Sequence, residues 1–313
     1  MNPSAAGGFR DRPDREPATP GSYGVAPPGF RLPAATAVGP VALQIVDLER
    51  SLDFYRAGLG LVELGRERGA ATLGVGTRPL VELREGAGLR PAGRGRLGLF
   101  HFAILLPDRP SLGRFVRHLA DLGLRAATGD HRVSEALYLN DPDGLGIEVY
   151  ADRPRESWCR AGRELVMSTD PLDVDAVVAA AGDGTWAGMP DGAVMGHVHL
   201  HVGDLMLASR FYSDALGFDR TVWTHPGALF LAAGDYHHHL GTNVWAGAAA
   251  RPPGAEEARL LEWSLTLPDA VALASAARSL RQAGFTVESA GNEVRTRDPW
   301  GQALRLFGTG PAA

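Results

Sequence analysis

The chain has 313 residues, a formal net charge of −5, a pI near 6.1 and 45% hydrophobic residues. That length suits about two ordinary domains with sizeable cores, and the lack of a basic surplus argues against nucleic acid or an anionic membrane as partner. The single cysteine, Cys159, excludes internal disulfides and thiolate clusters; with no apolar run near about 18 residues and no apolar signal core, a cytoplasmic protein is expected.

Residues 1–37 are rich in Pro, Gly, Ala and Arg without hydrophobic period and are expected to form a flexible tail. Four strand-like runs follow, each ending in an Asp that precedes a helical pattern: "GPVALQIVDL", "LFHFAILLPD", "GHVHLHVGDL" and "LLEWSLTLPD". Asp47, Asp108, Asp204 and Asp269 suit the helix start, where a carboxylate accepts orphan amide hydrogens. Gly60, Gly123, Gly217 and Gly284 suit the helix ends. The Asp-to-Gly spacings of 13, 15, 13 and 15 pair unit one with three and two with four. Phe54-Tyr55 with Phe211-Tyr212 supports the first pairing, and "DPDG" with "DPWG" supports the second. Short alternating runs after each helix complete four βαβββ units, so the expected fold is α+β. Its boundaries are 38–152 for units one and two, 153–194 for a linker with a short helix near Val174–Ala181, and 195–309 for units three and four.

Within the third run, His197, His199 and His201 alternate along a strand and share one face. Alone, such a trio is more often a set of polar pocket residues than of metal ligands. The four-unit pattern over roughly 38–308 resembles the vicinal oxygen chelate superfamily, which includes glyoxalase I, bleomycin-resistance proteins and extradiol dioxygenases. The resemblance implies two cupped, open barrels, with metal ligands on the first and last strands of units. Seven residues before each helix-starting Asp stand Pro40, His101, His197 and Glu262; seven after the DPxG aspartates stand Glu148 and Arg305. Units one and three offer Glu82 and the run His237-His238-His239 on their last strands.

Residues 129–148, "GDHRVSEALYLNDPDGLGIE", are similar to the signature of ring-cleaving extradiol dioxygenases, from His131 through Tyr138 to Glu148. The resemblance therefore implies Fe(II), with Mn(II) as runner-up, held by His101, Glu148 and His197 as a two-histidine, one-carboxylate face. It also implies that Tyr138 hydrogen-bonds an ionised substrate oxygen and that His131 lines the pocket. A histidine of 237–239 is the implied acid/base. Strand alternation puts His237 and His239 on one face, and His239 is favoured. A small aromatic diol and O2 are the implied partners, and homo-oligomerisation is left open. Unit four carries Glu262, Glu288, Arg295 and Arg305 at the equivalent places and reads as a structural copy. Ligands from units two and three require those units to meet; the resemblance implies a pairing of unit two with three and of one with four, as in some two-domain relatives, with exchange between subunits as the alternative. A glyoxalase-type lyase or isomerase and a metal-free binding protein stay open as alternatives. Tyr138 with His131 and the single carboxylate favour the dioxygenase.

Overall fold

The structure, a computed structural model, describes residues 15–309. The four expected helix starts are present. Asp47, Asp108, Asp204 and Asp269 each accept a hydrogen bond from the backbone amide three residues on, at 2.7–2.9 Å. The helices of units one and three begin as α and continue as π turns, Phe54–Gly58 and Ser209–Ala215. All four end at glycines with φ between 67° and 105°, a conformation that a side chain disfavours. In the linker, Asp173 caps the helix Val174–Ala180.

Among the described residues, twenty strands form one small and two large sheets, and the large sheets cut across the halves 38–152 and 195–309. One carries units two and three, joined where Gly98–Leu106 pairs antiparallel with Val194–His201. The other carries units one and four, joined where Val41–Ile45 pairs with Arg259–Leu267. In every unit the last strand runs parallel to the first, so both lie at the middle of their sheet. Each sheet curls into a half-barrel, and the helices cover its apolar back. Tyrosines bind the halves the other way. Tyr55 Oη of unit one donates to Asp141 of unit two at 3.2 Å, and Tyr212 Oη of unit three donates to Asp298 of unit four at 2.8 Å. The Phe-Tyr pairs and DPxG turns that marked the repeat are thus partners.

Residues 15–37 depart from expectation. The segment is pinned rather than loose: Ala18 donates to Trp158 O at 2.9 Å, Val25 and Arg220 exchange two backbone bonds, and Leu32 donates to Gly217 O at 2.8 Å. Glu16–Pro17 joins the small sheet beside Cys159–Ala161, and Tyr23 and Leu32 are buried. A Pro/Gly-rich segment without period of its own can still take its backbone partners and apolar contacts from the body it crosses. Residues 1–14 of the expected tail lie outside the described residues.

Candidate metal centre and active site

The ligand arrangement follows from strand register. Ala103 lies between Glu148 on one neighbouring strand and His197 on the other, and His101 is two residues along on the same face. The small Ala103 side chain leaves the space above it to these three groups. His101 Nε2, His197 Nε2 and one Glu148 carboxylate oxygen converge, with separations of 3.3, 3.0 and 3.1 Å. Among the described residues this is the one cluster of three His, Cys, Asp or Glu donors able to share an ion, and all three are buried.

The donor set fits a divalent cation. Donors held about 2.1 Å from one ion lie roughly 3 Å apart, which is the spacing here. Burial alone would raise the Glu148 carboxyl. The imidazoles of His197 and His101 outweigh it and hold that group well below its usual range. Burial pushes His101 down, so its ring stays neutral. His197 Nδ1 is buried without a hydrogen-bond partner. Two Nε2 atoms and a carboxylate crowded at one point, with no polar group between them, are better satisfied by a cation than by one another.

The surroundings are set by the same sheet. Tyr138 is the cross-strand partner of Glu148. Its ring lies 5.5 Å from that of His101, and burial followed by Glu148 drives its hydroxyl well above the usual phenol range. His131 bonds the Ser168 carbonyl through Nδ1 at 2.6 Å and Tyr138 Oη through Nε2 at 2.5 Å. Since a carbonyl only accepts, Nδ1 carries a hydrogen, and Nε2 is the ring nitrogen that meets the tyrosine hydroxyl. Two bulges re-aim the joining strands. Phe100 is left unpaired between Leu99 and His101, and its ring packs on His199, His201 and Trp245. Gly196 is left unpaired between Met195 and His197. A Cβ there would stand 2.0 Å from Tyr150 Oη, so glycine is what lets Tyr150 sit under His197.

The run 237–239 corrects the expectation. The regular strand begins only at Leu240, and the bend before it breaks the alternation that singled out His237 and His239. His239 accepts from the Ala233 amide through Nδ1 at 3.1 Å and packs against Phe218 and Tyr236. His239 is half-buried, and desolvation is the chief cause that pushes its pKa down to about 3. His238 is the ring beside the ligands, 4.1 Å from His197 between centroids. Burial, then His197 and His237, hold it well below the usual histidine range. His237 is fully buried behind it, bonded to His238 and to Asp152. The bend itself is held by the docked N-terminal segment. Asp235, at φ 34°, accepts from the Gly21 amide through its side chain and from Tyr23 Oη through its carbonyl. Sequence reading also passed over Asn243, which is fully buried. It donates to His199 Nε2 at 2.9 Å and accepts from His201 Nδ1 at 2.6 Å, so it fixes both rings. A lone amide among aromatic and apolar residues in "HHHLGTNVW" was the available signal.

The corresponding place in the other sheet holds no such donor set. Arg305 reaches Glu262 at 3.0 Å and Glu82 at 3.4 Å, so a guanidinium occupies the cup where unit two and three present ligands. That matches the structural reading of unit four.

A fold of this kind, with two half-barrels built from four such units, matches the family model described as "Glyoxalase/Bleomycin resistance protein/Dioxygenase superfamily" over residues 37–149 and 194–305. The chain belongs to that superfamily. It is 44% identical over 279 residues to a protein of Bacillus subtilis (strain 168) named catechol-2,3-dioxygenase, spanning 87% of this chain and 97% of the relative. Among solved structures, one from Bacillus subtilis subsp. subtilis str. 168, provisionally described as a dioxygenase, superposes with a TM-score of 0.61 at 14% identity, covering 90% of this chain and 87% of the other. Glyoxalase I from Zea mays superposes with a TM-score of 0.52 at 17% identity, covering 88% and 92%. At those identities the structures speak for the fold. No helix among the described residues is long and apolar enough to cross a membrane.

Proposed function

We propose that this chain is an Fe(II)-dependent extradiol dioxygenase that opens the ring of catechol, or of a substituted catechol, with O2 to give a muconic semialdehyde. The convergence of His101, Glu148 and His197 on one point carries the reading. The relative named catechol-2,3-dioxygenase supports it. Two imidazoles and one carboxylate on one face are the donor set of non-haem Fe(II) oxygenases, with Mn(II) as the nearest substitute. Iron, when bound, supplies a template for catechol and O2 and a path for electrons between them.

The remaining work falls to side chains. Catechol must lose a proton to become a chelating anion, and His238, neutral and beside the ligands, is placed to take it and later return it. This role replaces the one expected for His239. Tyr138 stabilises the charged substrate oxygen. Its hydroxyl is hydrogen-bonded to His131, and rotation about the Cζ–Oη bond can aim its hydrogen at substrate. Phe100, Trp245 and Phe230 offer aromatic walls for a flat ring, with His199 held among them by Asn243. The test is the product. Incubation with catechol under 18O2 is expected to yield a semialdehyde carrying both labelled atoms. A muconic diacid, or no ring-opened product from iron-loaded protein, overturns the proposal.

A further inference from the structure

Behind His238 lies a chain of polar atoms that the reaction as described does not use. Asp152 follows the last strand-face ligand by four residues and keeps about a quarter of its side chain exposed. One of its oxygens bonds His237 Nε2 at 2.9 Å and receives the Tyr236 hydroxyl at 3.2 Å. Tyr236 in turn bonds the Tyr150 hydroxyl at 2.8 Å, and its ring lies 4.0 Å from that of His237. Trp158 closes the other side of His237, at 5.4 Å. His237 Nδ1 then meets His238 Nδ1 at 2.7 Å. His237 is thus fully enclosed, with one ring nitrogen committed to a carboxylate and the other to a second histidine.

Those contacts fix hydrogens in sequence. An ionised carboxylate only accepts, so the His237 hydrogen lies on Nε2. A neutral imidazole with its hydrogen on Nε2 has a lone pair on Nδ1. The short contact to His238 is a hydrogen bond only if His238 Nδ1 donates. The His238 lone pair is then on Nε2, which makes no hydrogen bond to any described residue.

We propose that Asp152 and His237 are positioning residues that lock His238 as its Nδ1–H tautomer, leaving Nε2 as its one proton acceptor. The proposal rests on His238 as the acid/base of the site and extends it: without the pair behind it, His238 would present N–H or lone pair to substrate indifferently. The arrangement has the logic of a carboxylate orienting a catalytic imidazole, carried through one further ring. Asn at 152 would remove the charge and could donate instead of accept, which would reverse hydrogen placement along the chain.

The test reads the tautomer directly and needs no turnover. Long-range 1H–15N correlation spectra are recorded on the full chain with 15N-histidine, both metal-free and loaded with diamagnetic Zn(II). The His238 signals are identified by their loss in His238→Gln. The parent is expected to show His238 protonated on Nδ1 in both states, and Asp152→Asn to show a mixture. With Fe(II) and catechol, Asp152→Asn is expected to lower kcat on the order of tenfold or more while KM and metal content stay within about twofold; Asp152→Glu should restore part of the loss. His238 protonated on Nε2 in the parent, as it would be beside a doubly protonated His237, overturns the proposal, and so does an unchanged tautomer in Asp152→Asn. Should Asp152→Asn fail to fold, the parent spectrum decides alone. If the parent cleaves no catechol, the dioxygenase reading falls while the spectrum still decides the tautomer.

Discussion

Tyr138 illustrates how much one hydroxyl is asked to do. Its phenol group is half-buried, lies near Glu148 and is hydrogen-bonded to His131. Tyr138→Phe keeps the ring, so metal content should stay at the parent value. The lost donor should cost about 2–4 kcal/mol in kcat, the range for one group aimed at developing charge. Steady-state rates beside metal analysis check both halves. The ligands behave differently: alanine at His101, Glu148 or His197 should remove metal and activity together, while Glu262→Ala should spare both. A dispensable Glu148 would contradict the site. His239 gives a pH prediction. Its folded pKa, about 3, lies below the unfolded value of about 6.5, so between those values the unfolded chain holds the extra proton. Stability should therefore fall by roughly 1.4 kcal/mol per pH unit as pH drops below 6.5. Asp141, raised to about 6, works in the opposite direction above pH 4 or so. The readout is accordingly the difference between parent and His239→Gln in denaturant unfolding at pH 7 and 5, with the variant showing the shallower loss.

Elements decide what these residues can reach. The Gly196 bulge admits Tyr150 beneath His197, and a methyl there would stand 2.0 Å from the tyrosine hydroxyl. Gly196→Ala should lower stability by about 1–3 kcal/mol through overpacking. Tyr150→Phe removes the offending oxygen, so the double variant should lose less than the two single losses combined. Thermal melts of the four proteins measure this, and simple additivity would contradict the contact. The bend at 233–239 shows where sequence reading reaches its limit. Counting seven residues from a capping Asp works for His101 and His197 because strand and cap keep a fixed geometry between them. No such rule spans 233–239, where Asp235 takes a positive φ and the docked N-terminal segment holds the backbone. His238 therefore took the place that alternation gave to its neighbours. The order of the Pro/Gly-rich segment is hidden for a related reason, since its partners are far away in sequence and leave no local period.

At the scale of the molecule, sheets join units two with three and one with four, while Tyr55–Asp141 and Tyr212–Asp298 join one with two and three with four. The four units form a closed ring of contacts, and the donor set stands on the seam between two chain halves. The repeat and its α+β class were legible because caps, glycines and DPxG turns recur at matched spacings. Which units pair was legible only indirectly, from ligand positions that fall in units two and three, because the same local pattern serves either arrangement and the choice is made by tertiary packing. One cooperative unfolding transition follows, with near-UV circular dichroism and tryptophan fluorescence giving the same midpoint. Residues 38–152 alone should stay unfolded for want of their sheet partners. Two separated transitions, or a folded isolated half, would contradict this.

Oxygen uptake with catechol, followed before chelation, after exhaustive chelation and after re-addition of Fe(II), tests the account most directly. It predicts consumption of one O2 per catechol, its loss on chelation and its return with Fe(II) and reductant. Full uptake after chelation with nothing added back, or none from the Fe(II)-loaded protein, would contradict it.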